Sequence, residues 1–166
     1  MALINPYAFD AAIPPGAAAE IEHVKIDLEH LDKIYSRLSA SHELLLIEGA
    51  GGVLAPIGKN FFFADLMKRW STTVIVVARP GIGTVNHTLL TFRFLASQGI
   101  HTAGVILNDL KGKADAASRT NREVLSHYLD VPILSVFPHL EQTETMDRTL
   151  LVHVVKKSID TAALLE

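Results

Sequence analysis

The 166 residues contain no cysteine, so disulfides, thiolate metal sites and a cysteine nucleophile are all excluded. Such a composition suits a reducing compartment, and a cytoplasmic location is expected. No run of Lys and Arg gathers anywhere, and the formal net charge is −3 with 20% charged residues. The electrostatic footprint needed to grip a nucleic-acid backbone is therefore missing. No window reaches the roughly 18 to 20 apolar residues that span a bilayer, and the opening MALINPYAFDAAIPP lacks the basic start and apolar core of a signal peptide. The eight histidines are scattered without HxH or HExxH spacing, which leaves little support for a zinc site. A GxSxG nucleophile elbow is also lacking, as are internal repeats and low-complexity stretches.

What is present is a large apolar content, 49% of residues, enough for one core and consistent with a single domain over residues 1–166. Short apolar runs alternate with longer amphipathic ones, the signature of βαβ units around a parallel sheet flanked by helices. Four runs predict buried strands: Leu44–Ile47, Val74–Ala78, Ala103–Leu107 and Ile133–Val136. Each is apolar on successive positions, as strands covered on both faces are. Helices are predicted over Val24–Leu38, Phe61–Trp70, Thr84–Gln98, Ala116–Leu129 and Leu150–Leu165, with the first fifteen residues an extended loop. Doubly wound sheets usually carry five or more strands, so a sheet opening at Leu44 is expected to lack an upstream segment.

Four strand ends carry the candidate chemistry. Leu44–Ile47 runs into Glu48, Gly49, Ala50, Gly51 and Gly52. An acid at the mouth of a parallel strand lies at the carboxyl edge, where ligands bind in open α/β folds. Oxygen ligands of this kind suit Mg²⁺, and the glycines let backbone approach a ligand closely. An acid that only caps the next loop is the alternative. Val76–Ala78 leads into Arg79, Pro80, Gly81, Ile82, Gly83 and then Thr84, Val85, Asn86 and His87. A helix start there, with Thr84 as N-cap, offers free N–H groups and a positive dipole end to an anion; taken without the family, Gly81 and Gly83 read rather as a simple tight turn. His87 reads as a packed or surface histidine rather than a base. Asn108, closing the third strand, has an amide that can match a purine edge or can serve as a turn former. Pro138, His139, Leu140 and Glu141 follow the last strand and by themselves say little.

Taken in order, these features resemble the dethiobiotin synthetase family. The resemblance rests on Ile4-Asn5-Pro6-Tyr7-Ala8-Phe9, the EGAGG motif at 48–52 followed by Pro56-Ile57, the PGIGTVNHTLLT run at 80–91 and the GVILN strand at 104–108. It covers nearly the whole chain and implies a P-loop NTPase-like α/β fold, a homodimer, and ATP with Mg²⁺. The implied reaction adds carbon dioxide to an amine of 7,8-diaminopelargonic acid, lets the carbamate attack the γ-phosphate of ATP, and closes a cyclic urea as phosphate leaves. By resemblance, Glu48 ligates Mg²⁺, and Glu48, Gly49 and Gly51 adjoin the nucleotide. Gly51, Gly52, Gly83, Thr84, Val85 and Asn86 meet the substrate, whose carboxylate reaches the helix start across the dimer boundary. Asn108 reads adenine, and Pro138, His139, Leu140 and Glu141 enclose base and ribose.

Two departures qualify this. Pro14-Pro15-Gly16 stands where the family carries Ser-Pro-His, and no GxxxxGK[ST] loop occurs. The family's phosphate cradle, its catalytic lysines and a second metal-binding acid belong to a segment not found here. A missing first βαβ segment and poor activity alone are the resulting expectations; a separate chain bearing the loop, a split gene or a truncation would each explain the absence. Two other readings stand beside this one: a non-catalytic nucleotide-binding or dimerisation module derived from the family, and a fragment of another deviant P-loop protein.

Overall fold

A computed structural model describes residues 4–110, 112, 116–141 and 146–159, and the chain resolves into two compact units, 1–69 and 70–166.

The first unit holds helices α1 (Pro15–Ile21) and α2 (Leu28–Ser41), strands β1 (Pro56–Gly58) and β2 (Phe61–Phe62), and helix α3 (Phe63–Arg69). Pro15 sits in the first turn of α1, where a missing N–H costs nothing and φ is already set for a helix. This helix lies in a segment whose sequence predicts loop only up to Pro15. A Cβ on Gly16 would lie 3.0 Å from the Pro56 carbonyl oxygen and 3.1 Å from the Ile57 carbonyl carbon. Gly16 thus lets α1 rest on the β1 backbone, with Ala18 and Ala19 buried beside it. That is a packing reason for the glycine in Pro14-Pro15-Gly16.

Helix α2 starts later than the apolar spacing suggests because Asp27 caps it, its Oδ1 accepting from Glu29 N at 2.9 Å and His30 N at 3.3 Å. Caps of this type satisfy N–H groups that the first turn leaves open. The Tyr7 hydroxyl in turn accepts from Asp27 N at 2.9 Å, which ties the NPYAF segment to the helix start. Arg69 at the end of α3 donates from Nε to both oxygens of Asp32 on α2, each at 2.9 Å. This hydrogen bonding first, and the charge of Asp32 second, raise the Arg69 pKa.

Leu44–Ile47 forms no strand. Residues 42–49 lie outside any ladder, and Leu44, Leu46 and Ile47 are 61%, 80% and 50% exposed. A strand exists only against a hydrogen-bonding neighbour, and among the described residues β1 pairs with β2 alone in this unit while nothing pairs with 44–47. The hairpin β1–β2, too short for an apolar alternation, has no counterpart in the sequence expectations, and the Phe61–Trp70 stretch divides between β2 and α3.

The second unit is built on parallel strands β3 (Val74–Ala78), β4 (Thr102–Asn108) and β5 (Ile133–Phe137), in the order β3-β4-β5. Helices α4 (Thr84–Ser97), α5 (Ala116–Tyr128) and α6 (Arg148–Ser158) follow the strands in turn. The central β4 is covered on the face that carries Val105 and Leu107, both fully buried. They join Phe92 of α4 and Leu125 of α5 in one core with Leu129. The expected α6 range runs past this helix, and its residues 160–165 lie outside the described residues. Among the described residues no helix is long and apolar enough to cross a membrane.

Gly104 permits a close approach in this sheet. A Cβ there would meet Leu134 Cγ at 2.6 Å and the Pro132 carbonyl oxygen at 2.8 Å. The second contact is with backbone and cannot be relieved by a rotamer change. Gly104→Ala is therefore expected to destabilise the protein by about 1–3 kcal/mol, the usual penalty of overpacking. In urea unfolding the midpoint should fall with an unchanged slope, and adding Leu134→Ala should recover only part of the loss.

Candidate functional site

The carboxyl ends of β3, β4 and β5 all open on one edge of the sheet, because the strands are parallel. Three loops open there: 79–83, the one that begins at Asp109, and 138–141. Open α/β sheets bind ligands at such an edge.

The loop after β3 is shaped by its glycines and held from a distance. Gly83 has φ +88° and is the N-cap of α4, a backbone state that a β-branched residue tolerates poorly. Thr84 is accordingly not the cap expected from sequence. It occupies the first helical position, is buried, and its N–H donates to the Gly81 carbonyl at 3.3 Å. The first helical bond runs from His87 N to Gly83 O at 3.1 Å, so Val85 and Asn86 supply the amides that an opening turn leaves without an intrahelical acceptor. Asn86 and His87 are exposed.

Asn121 of α5, missed from sequence, holds this loop in place. It is 8% exposed, and its Nδ2 donates to the Pro80 carbonyl and, at 3.0 Å, to that of Gly81. The signal was available: Asn121, Leu125 and Leu129 follow at four-residue intervals and all are buried, so the amide lies in the apolar row of its helix.

Asn108 is the last residue of β4, partly buried and in register with Phe137. The ladder extends one step beyond it, with Asp109 N donating to Phe137 O at 3.0 Å. Asp109 Oδ1 then accepts from Gly112 N at 3.1 Å, closing the loop. Gly112 has φ +65°, and a Cβ there would lie 2.7 Å from the His139 ring. The loops after β4 and β5 therefore touch beside Asn108. Pro138, His139 and Glu141 are exposed and Leu140 is half-buried.

Glu48, Gly49, Gly51 and Gly52 belong to the first unit. Glu48 is exposed and stands at the end of an unpaired segment rather than of a strand. A Cβ on Gly49 would meet the Phe63 ring at 3.2 Å, and Gly51 has φ +95° with Ala55 at 3.1 Å. The Gly52 carbonyl accepts from Ala55 N at 2.8 Å, and Val53 O accepts from Ala64 N at 2.9 Å. The glycine loop is thus fastened to the start of α3. Among the described residues no three His, Asp or Glu converge as a metal cage. One carboxylate still suits Mg²⁺ that brings its remaining oxygens from phosphate and water.

A parallel sheet flanked by helices, with its loops at the carboxyl edge, makes this an α/β protein, and the family match that follows places it in the P-loop NTPase-like class. A family model described as an AAA domain matches residues 1–147. The ATP-dependent dethiobiotin synthetase BioD of Bacillus subtilis strain 168 is 33% identical over 162 residues, covering 98% of this chain and 69% of the relative. The enzyme of the same name from Thermodesulfovibrio yellowstonii is 33% identical over 171 residues, covering 98% and 70%. That of Aquifex aeolicus is 37% identical over 141 residues, covering 85% and 63%. The chain belongs to the dethiobiotin synthetase family.

Replacing Asn121 by Ala leaves a buried carbonyl, that of Pro80, and a half-buried one, that of Gly81, without their donor. A loss of about 1–3 kcal/mol is expected, the penalty for orphaned buried groups. Hydrogen exchange should speed up at residues 81–85 before it does in β4; unchanged exchange there would remove Asn121 from this role.

Proposed function

We propose that the chain serves ATP-dependent dethiobiotin formation in biotin biosynthesis, closing the cyclic urea from 7,8-diaminopelargonic acid, carbon dioxide and ATP. The single observation that carries the reading is the convergence of Asn108, the 138–141 loop and the α4 start on one sheet edge in a member of this family. In this reading the Asn108 amide pairs with the adenine edge, offering one acceptor and two N–H donors. Pro138, His139, Leu140 and Glu141 enclose the base and ribose. The Val85 and Asn86 amides, with Gly83 and Thr84, receive the substrate carboxylate at the positive end of the helix. Glu48 is the proposed protein ligand of Mg²⁺, and Gly49, Gly51 and Gly52 admit phosphate and diamine close to the backbone. When bound, the cation offsets negative charge on the phosphates.

Phosphoryl transfer is chiefly positioning and charge stabilisation. The 166 residues contain no GxxxxGK[ST] loop, so a polypeptide of these residues alone should bind nucleotide and turn it over slowly. Adding a segment that bears the loop should raise diamine- and bicarbonate-dependent ADP release. If release stays at background under every such complementation, the catalytic reading fails and the non-catalytic nucleotide-binding reading replaces it.

Calorimetry tests the sites directly. Asn108→Ala should weaken ATP binding about tenfold, the value of one or two hydrogen bonds. Glu48→Ala should erase the gain that Mg²⁺ brings while leaving metal-free binding alone. Equal affinities for wild type and Asn108→Ala would exclude Asn108 from base recognition.

The proposed substrate site also calls for a homodimer. Ile82 and Leu90, before and within α4, are 93% and 62% exposed, an apolar surface suited to a subunit boundary. Leu90→Glu should shift sedimentation equilibrium toward monomer, and a dimer unaffected by that charge would place the boundary elsewhere.

A further inference from the structure

We infer that Asn121 is a positioning residue for the substrate: it braces the turn ahead of α4 so that the Val85 and Asn86 amides stand ready for the carboxylate. This role rests on the reading of the α4 start as the carboxylate site, and it belongs to a side chain on another helix.

The turn needs a brace because its own residues supply little stiffness. Gly81 and Gly83 flank Ile82, which is 93% exposed. A Cβ on Gly81 would meet nothing within 4 Å, so packing does not confine the turn at that point. Gly83 sits at φ +88°, and glycine gives up more conformational freedom on folding than any other residue.

The restraint comes from α5. The Asn121 side-chain nitrogen carries two N–H groups, enough for both of its partners, the carbonyls of Pro80 and, at 3.0 Å, Gly81. Both partners are acceptors, so only the NH₂ end of the amide can face them. The Gly81 oxygen is shared, because Thr84 N donates to it at 3.3 Å. One oxygen atom thus joins the α5 side chain to the first N–H of α4, and the next two N–H groups along the chain are those of Val85 and Asn86. Asn121 is buried, and one turn further along α5 Leu125 joins Phe92 of α4 in the core. The brace is therefore anchored where the two helices are held together.

Preformed amides bind an anion better than amides that must first be ordered, since a site competent for a fraction of the time loses affinity by that fraction. A carboxylate gains charge-assisted hydrogen bonds from such amides. A carboxamide in its place carries no charge and gains little from the positive end of a helix. Loss of Asn121 should accordingly be felt by the acid and far less by its carboxamide.

7,8-Diaminopelargonic acid and its carboxamide can each be titrated by calorimetry into the full chain with ATP and Mg²⁺ present. The wild type should bind the acid about tenfold more tightly than the carboxamide, the value of a charge-assisted bond. Asn121→Leu removes both donors and retains an apolar side chain of similar length. It should bind the acid about three- to tenfold more weakly, hold the carboxamide within about twofold, and leave ATP affinity unchanged. Asn121→Asp, close to isosteric, should lose the same preference, and it carries the comparison if the leucine variant does not fold. Variants that prefer the acid as strongly as the wild type does would overturn the role of Asn121 and leave the carboxylate site standing. Acid and carboxamide affinities that fall together would make Asn121 a structural support only and overturn the role equally. A wild type that binds neither compound, or both alike, would remove the carboxylate site itself and the role of Asn121 with it.

Discussion

The second unit depends on the burial of one strand. β4 is paired on both sides, and its Val105 and Leu107 face is covered by helices, so its backbone groups and the side chains of that face are satisfied together. Val105 and Leu107 point into the core that α4 and α5 complete, and this fixes the two outer strands as neighbours of β4. Parallel pairing then decides where chemistry can occur. All three strands end on the same edge, so three loops that are distant in sequence open there together.

The loops at that edge are held by polar contacts to backbone. Asn121 supports the turn after β3 through carbonyls, Asp109 closes the turn after β4 through an amide, and the ladder step from Asp109 to Phe137 joins β4 to the last loop. Asn108 is therefore positioned by its neighbours on either side. Glu48 lies in a different setting, exposed at the end of a segment without a ladder partner. The chemistry proposed for Asn108 uses a rigid frame, whereas that proposed for Glu48 uses a carboxylate on an open stretch.

Much of the second unit could be read from sequence because its signals are local. The run Val74–Ala78 is a strand to the residue, Thr102–Asn108 and Ile133–Phe137 extend their expected ranges by one residue or two, and Gly99 stops α4 where a left-handed residue is needed. Leu44–Ile47 misled for a physical reason: apolar continuity reports what a segment would bury, not whether a neighbour is there to pair with it. The cap at Gly83 rather than Thr84 follows from a left-handed φ, which glycine allows and the preference for hydroxyl caps does not anticipate. Asn121 falls in the same row as Leu125 and Leu129, but what its amide holds there became legible only once the turn facing it was known. The site residues named from family resemblance in this unit do gather at one edge; spacing alone left each of them an ordinary alternative.

The support of the turn after β3 has an evolutionary consequence. Asn121 touches Pro80 and Gly81 only through their main-chain oxygens, which every amino acid possesses. That contact places no demand on which side chains occupy 80 and 81, and the whole chemical requirement falls on position 121. As such sequences diverge, drift at the turn would leave the bracket intact, while a single change in the helix, some forty residues away, would undo it.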